Sequence, residues 1–377
     1  MKKLHVAFCL RDMQMGGVES VLIRTLDKLL RYKNIKISLI TYADIKTPTY
    51  REYFKKHSQI KLYSLYPCSW LGTKLPHFFL WRLSIHLLRD VYRGFKRPWV
   101  MHKFKDIDVF IDYHDFGFVD ELRYMKHAKK IAWFHSSPDV FINRHFIDNV
   151  KYYDKVVVLT DDCANILKKD YSKYADKILR IYNPLDTDKI QKMSDEKNKI
   201  SGEYFCCVSR LTPDKDIETV LRGFDLFWQK NAQPDIKMLF VGDGNWSKRY
   251  QEIATGLSSK NQFVFTGAMS NPFAIMKGAR ANILSSYGEG LPTVLIESMA
   301  VGTINIASDV RCGPREILLN GRAGLLFKAG DAKDLSDCLS DVYNKKVNVR
   351  VMLSNAKKSL NRFDGDKIVK KIISLIS

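Results

Sequence analysis

Short apolar runs alternate with longer amphipathic segments along the whole chain, which is typical of a parallel α/β architecture. In the first half, six apolar runs are predicted as strands: Leu4–Leu10, Ile35–Thr41, Ile60–Ser64, Ile107–Tyr113, Lys130–Phe134 and Lys155–Leu159. Segments with helical periodicity lie between them, such as Val18–Tyr32 and Asp162–Lys169. Each strand is therefore predicted to be followed by a helix or loop that returns the chain to the same sheet edge.

The alternation restarts after Tyr182-Asn183-Pro184 and a polar stretch. The later strands are predicted at Tyr204–Ser209, Lys237–Val241, Gln262–Thr266, Ala281–Ser285 and Thr303–Ala307, with helices at Ile217–Lys230, Trp246–Leu257 and Pro292–Val301. Because 377 residues exceed one ordinary core, we predict two α/β domains, at 1–184 and 203–361, joined by a linker at 185–202. A last helix is predicted at about Asp366–Ile376.

Composition narrows the class of protein. Hydrophobic residues make up 46% and charged residues 27%, as in soluble globular proteins, and no apolar run reaches the roughly 18–20 residues that span a bilayer. The short apolar start runs into Arg11 and Asp12, which favours a buried strand over a signal peptide. Seven cysteines without a Cys-x-x-Cys pair indicate neither a disulfide framework nor a zinc site. We expect a cytoplasmic protein.

The net charge of +20 is concentrated in the first half, where residues 51–105 hold 12 basic and 2 acidic side chains. Such a field attracts nucleic acid, an acidic membrane surface or phosphorylated substrates. Within this region, residues 76–99 interleave aromatic and aliphatic side chains with five basic ones: Arg82, Arg89, Arg93, Lys96 and Arg97. Two interpretations stay open: a basic amphipathic helix lying on a membrane, or a core-packed helix with a solvated face.

The strongest chemical signal is the string Ser285-Ser286-Tyr287-Gly288-Glu289-Gly290-Leu291-Pro292-Thr293-Val294-Leu295-Ile296-Glu297. A strand is predicted to end near Ser285, and Pro292 suits the first position of a helix. Free N–H groups and the positive dipole end of that helix would lie beside Glu289, Gly290 and Leu291, which suits a pyrophosphate. The alternative is a capped helix with two surface glutamates.

Glu289 and Glu297, eight residues apart within Gly-Glu-Gly-Leu-Pro, resemble the donor-site motif of retaining glycosyltransferase family 4, a GT-B group. The resemblance covers nearly the whole chain. It implies two Rossmann-like domains with parallel sheets facing a cleft, an acceptor-binding first domain and a donor-binding second domain. It also implies that residues 362–377 return to the first domain. In such a site Glu289 would bind sugar hydroxyls, Glu297 the ribose, and Gly290, Leu291, Pro292 and Thr293 the diphosphate.

Two further loops match the family. Met15-Gly16-Gly17-Val18-Glu19 follows the first strand, and Gly16 and Gly17 can form a turn that faces a phosphate; a plain turn is the alternative. Arg210 and Lys215 follow the first strand of the second half, and two such cations can clamp a diphosphate leaving group. A solvated basic loop is the alternative there. The family often has a small residue where Asp216 stands, which puts the geometry of this loop in doubt.

Three more positions complete the predicted site. His135 lies at the carboxyl end of a predicted strand, where α/β folds bind ligands. In similar enzymes a histidine here contacts the donor sugar. His114 and Asp115 are the alternative candidates for this role. Gly242, in Val241-Gly242-Asp243-Gly244, is expected to border the nucleotide. The segment Asp309–Ile317 also resembles the family, but it supports the fold more than the chemistry.

These residues predict a retaining transferase that moves a hexose-type sugar from a nucleotide diphosphate sugar, with UDP expected before GDP, and that needs no metal. The acceptor is expected to be a glycan or lipid-linked molecule of bacterial lipopolysaccharide, capsule or O-antigen synthesis, met at the inner face of the cell membrane. Catalysis would rest on His135, Glu289, Arg210 and Lys215. The alternatives are another GT-B enzyme, an epimerase or hydrolase, or a basic membrane-binding or nucleic-acid-binding protein, although no nucleic-acid-binding motif is visible.

Overall fold

A computed structural model of the chain describes residues 3–14, 16–66, 91, 94–95, 97–198 and 200–377. In these residues the strands form two sheets, and the pairings between neighbouring strands are parallel. Helices follow most of the strands, as the alternating pattern predicts. The prediction of two Rossmann-like α/β domains is confirmed.

The first sheet, within the described residues, has seven strands in the order β3-β2-β1-β4-β5-β6-β7. They are β1 (Leu4–Leu10), β2 (Ile35–Thr41), β3 (Lys61–Ser64), β4 (Val109–Asp112), β5 (Lys129–Trp133), β6 (Lys155–Val158) and β7 (Ile178–Arg180). The helices around it are Gly17–Leu29, Pro48–Lys56, Pro138–Asn143, Ile147–Val150 and Asp161–Asp170. Sequence analysis missed β7, because three residues are too few to show a period.

Both faces of this sheet are buried, which explains the continuous apolar runs. Along β1, Val6, Phe8 and Leu10 pack into one hydrophobic cluster, whereas Ala7 and Cys9 pack into another on the opposite face. All five side chains are at most 1% exposed. Alternation of side chains along a strand therefore distributes one apolar run between two cores.

The second sheet has six strands in the described part of the chain, in the order β10-β9-β8-β11-β12-β13. They are β8 (Glu203–Val208), β9 (Ile236–Val241), β10 (Phe263–Gly267), β11 (Asn282–Leu284), β12 (Asn305–Ser308) and β13 (Leu325–Phe327). Its helices are Ile217–Lys230, Ser247–Thr255, Phe273–Gly278, Thr293–Ala300, Pro314–Ile317, Ala332–Tyr343 and Val349–Ser359. Short β13 and the last two of these helices were not predicted from the sequence.

The C-terminal helix, Gly365–Ile376, returns to the first domain as predicted. Asp364 caps it by accepting a hydrogen bond from the backbone N–H of Lys367 at 2.8 Å, and the buried side chains Ile368, Val369, Ile372 and Ile376 form its apolar face. Asp366 pairs with Lys28 of the first domain at 2.7 Å. Apolar burial and this ion pair together fasten the last helix to the helix Gly17–Leu29.

The segment predicted as a linker, residues 185–202, contains the helix Thr187–Ser194. This helix lies against the second domain, because Gln191 Nε2 donates to the carbonyl of Ala300 at 3.3 Å and Asn271 Nδ2 donates to the carbonyl of Met193 at 2.9 Å. The chain also crosses near Leu185, which forms a parallel β-bridge with Asp364. The division at 185–202 stays a prediction, with this helix attached to the second domain.

Most of the basic segment 76–99 lies outside the described residues, including Arg82, Arg89, Arg93 and Lys96. Arg97 is described, and its side chain turns toward the protein: its guanidinium lies 3.0 Å from Asp120 and 3.1 Å from Glu121, whose side chain is fully buried. Among the described residues, no helix is long and apolar enough to cross a membrane.

Candidate active site

Most of the predicted site residues lie near the point where the strand order of each sheet reverses. In the first sheet β1 lies between β2 and β4, and in the second β8 lies between β9 and β11. At such a point the loops after two neighbouring strands run in opposite directions, and a crevice forms between them. Open α/β sheets bind ligands in this crevice. The loops after β1, β4 and β5 in one domain meet those after β8 and β11 in the other.

The loop after β11 is held by hydrogen bonds to its neighbours. Ser285 Oγ donates to the carbonyl of Lys215 at 2.7 Å, and the N–H of Tyr287 donates to the carbonyl of Asp214 at 3.1 Å. Ser308 Oγ donates to the carbonyl of Ser286 at 2.7 Å. The loops after β8, β11 and β12 are therefore fixed relative to one another before any ligand arrives.

The helix that follows this loop begins at Thr293, one residue later than predicted. Pro292 has a ψ of 94° and is the N-cap, and its carbonyl accepts the N–H of Leu295 at 3.1 Å. The placement of Pro292 at the first helical position was wrong, because its backbone is extended. Pro292 still opens the helix, whose first turn follows the loop after β11.

Each of the two glutamates of the motif is held by a cation. Lys215 Nζ lies 2.6 Å from Glu289 Oε1, and Arg24 Nη2 lies 2.6 Å from Glu297 Oε1. Both carboxylates are 12% exposed. The structure thus brings together Glu289 and Lys215, two residues that the sequence predicts to act in catalysis.

Arg210 does not join this buried pair. Its side chain is 62% exposed and lies 3.6 Å from Asp214, which is also within 3.8 Å of Lys215. An exposed ion pair of this kind contributes little stability. Arg210 is therefore at the edge of the site, with its guanidinium accessible to a ligand.

Asp216 resolves the doubt about the loop after β8. It has φ 45° and ψ 52°, in the left-handed region, and its carboxylate caps the helix Ile217–Lys230 by accepting the N–H of Thr219 at 3.4 Å. Aspartate tolerates this region better than most side chains, because its short polar group bonds locally. Asp216 thus adopts a turn that also suits a small residue.

Gly242 lies behind the same loop. Its φ is 145°, and a Cβ atom there would lie 1.9 Å from the carbonyl oxygen of Ser209. Only glycine lets the end of β9 approach the backbone that leads into Arg210 this closely. In the structure Gly242 supports the loop after β8; its contact with a nucleotide stays a prediction.

In the first domain, Gly16 and Gly17 begin the helix Gly17–Leu29. Gly16 is the N-cap, and its carbonyl accepts the N–H of Ser20 at 3.2 Å and the hydroxyl of Ser20 at 2.8 Å. A Cβ at Gly16 would meet Glu19 Oε2 at 2.5 Å, whereas Gly17 is open. Burial chiefly raises the pKa of Glu19, and Arg210 opposes the rise. This acid therefore faces the cleft, a role that sequence analysis did not assign.

His135 follows β5, and its ring packs edge-on against Tyr113 with centroids 4.4 Å apart. Burial, with a smaller contribution from His114, lowers the pKa of His135 to about 3. Its Nε2 is buried and has no hydrogen-bond partner among the described residues. The ring is therefore neutral at physiological pH and has one nitrogen still to be satisfied.

Asp115, an alternative candidate to His135 in the sequence, fixes the loop that carries His135. Its carboxylate accepts hydrogen bonds from the N–H of His135 at 2.6 Å and from Ser136 Oγ at 2.5 Å. Its own backbone is left-handed, with φ 48°. Asp115 therefore orients His135 through the backbone. The other alternative candidate, His114, lies near His135.

The two domains touch where the loops of His135 and Glu289 meet. A Cβ atom at Gly290 would lie 2.0 Å from the carbonyl oxygen of His135, so the two backbones are in direct contact. A Cβ at Gly288 would lie 3.5 Å from Ser137 Oγ, which is an ordinary distance. Glu289 is thus placed opposite the loop of His135 by its glycine neighbours.

Sequence analysis missed Arg24 and Asp112. Arg24 lies on a helix without a motif, and its partner Glu297 is 273 residues away. Asp112 ends β4, is fully buried, and accepts hydrogen bonds from Phe118 N at 2.8 Å and Tyr153 Oη at 2.6 Å. Burial raises the pKa of Asp112 to about 6. A polar residue at a strand end was the available signal for Asp112; none marked Arg24.

Residues 188–359, which span the second domain, match the family described as glycosyl transferases group 1. This chain is a glycosyltransferase, and its second domain is similar to group 1. An uncharacterized glycosyltransferase of Methanocaldococcus jannaschii is 26% identical over 78% of this chain and 83% of its own length. The family match at residues 188–359 covers the loops that carry Arg210, Lys215, Glu289 and Glu297.

Two further likenesses extend over both domains of the glycosyltransferase. The GalNAc-alpha-(1->4)-GalNAc-alpha-(1->3)-diNAcBac-PP-undecaprenol alpha-1,4-N-acetyl-D-galactosaminyltransferase of Campylobacter jejuni is 23% identical, over 99% of this chain and 98% of its own. The structure of Anabaena HepE in complex with UDP-glucose matches with a TM-score of 0.76 at 16% identity, over 99% of each chain. The GT-B fold is confirmed by this second likeness.

Replacing Gly290 by alanine is expected to push the two domains of the glycosyltransferase apart, because the new Cβ would collide with the carbonyl oxygen of His135. We expect a loss of about 1–3 kcal/mol of stability and a larger radius of gyration in solution scattering. Gly288→Ala is the matched control, since its Cβ has room. Equal melting temperatures and radii for the two variants would contradict the contact.

The ring of His135 is expected to stay neutral between about pH 5 and pH 8, because its pKa of about 3 lies well below the ordinary value of about 6.5. In NMR of histidine-labelled protein, the signal lost in His135→Asn should not shift in this range. The signal lost in His102→Asn identifies an exposed histidine ring, with which the signal of His135 is compared.

The same group affects stability. Between about pH 6.5 and pH 4 the unfolded chain binds a proton at His135 that the folded chain does not, so acidification destabilises the fold. The wild type should therefore lose more free energy of unfolding than His135→Asn over this range. Parallel stability curves, or an NMR midpoint near pH 6.5, would show that the ring is not buried in solution.

Proposed function

We propose that the protein transfers a hexose-type sugar from a UDP-sugar to a glycan or lipid-linked acceptor, with retention of the anomeric configuration. The observation that carries this proposal is the buried pair Lys215–Glu289, placed directly opposite the loop of His135. A carboxylate that is fixed and paired inside a cleft can bind sugar hydroxyls, and the cation beside it can meet a phosphate.

The donor diphosphate would lie between Arg210, Lys215 and the first turn of the helix Thr293–Ala300. Two cations and free helix N–H groups stabilise the negative charge that develops when the diphosphate leaves. In this proposal these groups, rather than a metal ion, neutralise the leaving group. Glu297 would accept hydrogen bonds from the ribose.

The proposed reaction proceeds on one face of the sugar. The bond from the anomeric carbon to the phosphate oxygen breaks, and its electron pair goes to the departing diphosphate. The acceptor oxygen bonds to the same face, and its proton passes to the departing phosphate. Glu289 is paired with Lys215, and His135 is too weak a base to hold the proton, so the scheme gives neither of them that role.

The choice of UDP rests on the likeness to Anabaena HepE, whose structure holds UDP-glucose. The choice of a lipid-linked glycan acceptor rests on the Campylobacter jejuni relative, which is named for a glycan on PP-undecaprenol. Both proteins share their whole length with this chain. The proposed setting is bacterial surface polysaccharide synthesis, at the cytoplasmic face of the membrane.

An exposed apolar stripe on the first domain supports peripheral membrane contact. Val91, Phe95 and Trp99 are 49%, 83% and 68% exposed, and each has helical backbone at a spacing of four residues. Lys103 lies over the Trp99 ring at 4.2 Å. Aromatic side chains beside basic ones suit an anionic lipid surface. Arg97 belongs to the protein side of this segment, because it pairs with Glu121.

Titration calorimetry with UDP, GDP and ADP tests the donor site. We expect UDP to bind most tightly and Lys215→Ala to weaken UDP by about 10–100-fold, since a charged hydrogen bond to phosphate is lost. Glu289→Gln should keep UDP affinity and lose turnover by about 10²-fold or more. Lys230→Ala is the control, because Lys230 forms an exposed pair with Asp337.

The products of turnover separate the competing activities. A glycoside of the same anomeric configuration as the donor, formed equally well in EDTA, is the expected result. An inverted product would refute the proposed displacement. Donor turnover without any acceptor product would instead favour an epimerase or a hydrolase, and no nucleotide binding at all would refute the donor site.

Sedimentation with vesicles containing phosphatidylglycerol tests membrane contact. Phe95→Ser with Trp99→Ser should weaken binding by at least about tenfold, because two apolar side chains leave the lipid interface, and salt should weaken the wild type. Trp246→Ser is the control, since Trp246 is exposed on the second domain. Equal binding by the double variant would exclude this stripe as the contact.

A further inference from the structure

Arg24 reaches from one domain into the predicted nucleotide site of the other. It lies in the helix Gly17–Leu29, and its Nη2 lies 2.6 Å from Oε1 of Glu297, in the helix Thr293–Ala300. The Arg24 side chain is 22% exposed and that of Glu297 is 12% exposed. The pair is therefore largely shielded from water, and its geometry is fixed more firmly than that of a surface pair.

Within the described residues, one polar atom of each side chain in this pair has no hydrogen-bond partner. Arg24 Nη1 is buried without a hydrogen-bond partner among the described residues. Within the same residues, Glu297 makes its hydrogen bond through Oε1, and none to Oε2 is found. A buried guanidinium N–H without an acceptor costs free energy. An acceptor supplied by a bound molecule would remove that cost.

One donor and one acceptor in this arrangement match a sugar hydroxyl. A hydroxyl group can donate its hydrogen to the free oxygen of Glu297 while its own oxygen accepts from Nη1 of Arg24. A vicinal diol would satisfy both atoms at once. The diol that lies within reach of Glu297 in the proposed function is that of the donor ribose.

We propose that Arg24 is a positioning residue for the nucleotide: it orients Glu297 and, with it, holds the ribose hydroxyls from the opposite domain. This inference rests on the proposed function of Glu297. It adds that ribose recognition requires both domains, so donor binding and the approach of the domains are coupled. The acceptor-binding domain thereby contributes to nucleotide affinity.

The test compares UDP with 2′,3′-dideoxy-UDP, which lacks both ribose hydroxyls, on wild type, Arg24→Gln and Arg24→Lys. We expect Arg24→Gln to weaken UDP binding by about tenfold, and to weaken the dideoxy ligand by less than about twofold. Non-additivity of this kind is the sign that the side chain and the hydroxyls interact. Arg24→Lys should lie between wild type and Arg24→Gln, because it keeps the charge and loses the planar fork.

Arg31→Gln is the matched control, since Arg31 is 62% exposed and pairs with Asp366 just beyond the same helix. An equal loss for both ligands, or no loss, would overturn the role of Arg24. Tighter UDP binding by Arg24→Gln would also overturn it, by showing that Arg24 blocks Glu297. A wild type that binds no nucleotide would refute the proposed function itself, whereas selective UDP binding with an unaffected Arg24→Gln would refute this inference alone.

Discussion

The contact between the backbone of Gly290 and the carbonyl oxygen of His135 is the constraint on which the site depends. It sets the distance between the two sheets at the edge where their loops meet, because no side chain separates the chains there. Asp115 fixes the His135 side of the contact, and hydrogen bonds from the loops after β8 and β12 fix the other side. The distance between the two domains therefore follows from backbone geometry, which a mobile side chain could not define as closely.

Around this contact two buried carboxylates are each paired with a cation. Glu297 and Glu289 are each held by a cation and are each 12% exposed, and one of these cations comes from the other domain. The chain has a net charge of +20, and in the described part of it Arg24, Arg97 and Lys215 are placed against buried carboxylates. The general field draws anions toward the molecule, whereas in the proposed function the paired residues determine where the donor is held.

The sequence was sufficient for the architecture and for the local motifs. Apolar runs predicted β1 and β2 to the residue, because each is buried over most of its seven positions. Residues close in sequence, such as Arg210 and Lys215, could be grouped from their spacing, and their action as a diphosphate clamp stays a prediction. Contacts between distant segments were not: Arg24 has no pattern of its own, and its role depends on a glutamate 273 residues away. The three-residue strands β7 and β13 likewise depend on their neighbours for existence.

The two cations of the loop after β8 are placed for different tasks. Lys215 is 15% exposed and held by Glu289, so its position is set before a donor arrives. Arg210 is 62% exposed, and its ion-pair partner among the described residues is exposed Asp214, a contact that contributes little stability in water. Because breaking that contact costs little free energy, Arg210 can turn to a diphosphate without disturbing the buried pair of Lys215 and Glu289. In the proposed function its planar fork binds the phosphates while Lys215 keeps Glu289 fixed. Spacing within one loop thus combines a rigid cation with an adaptable one.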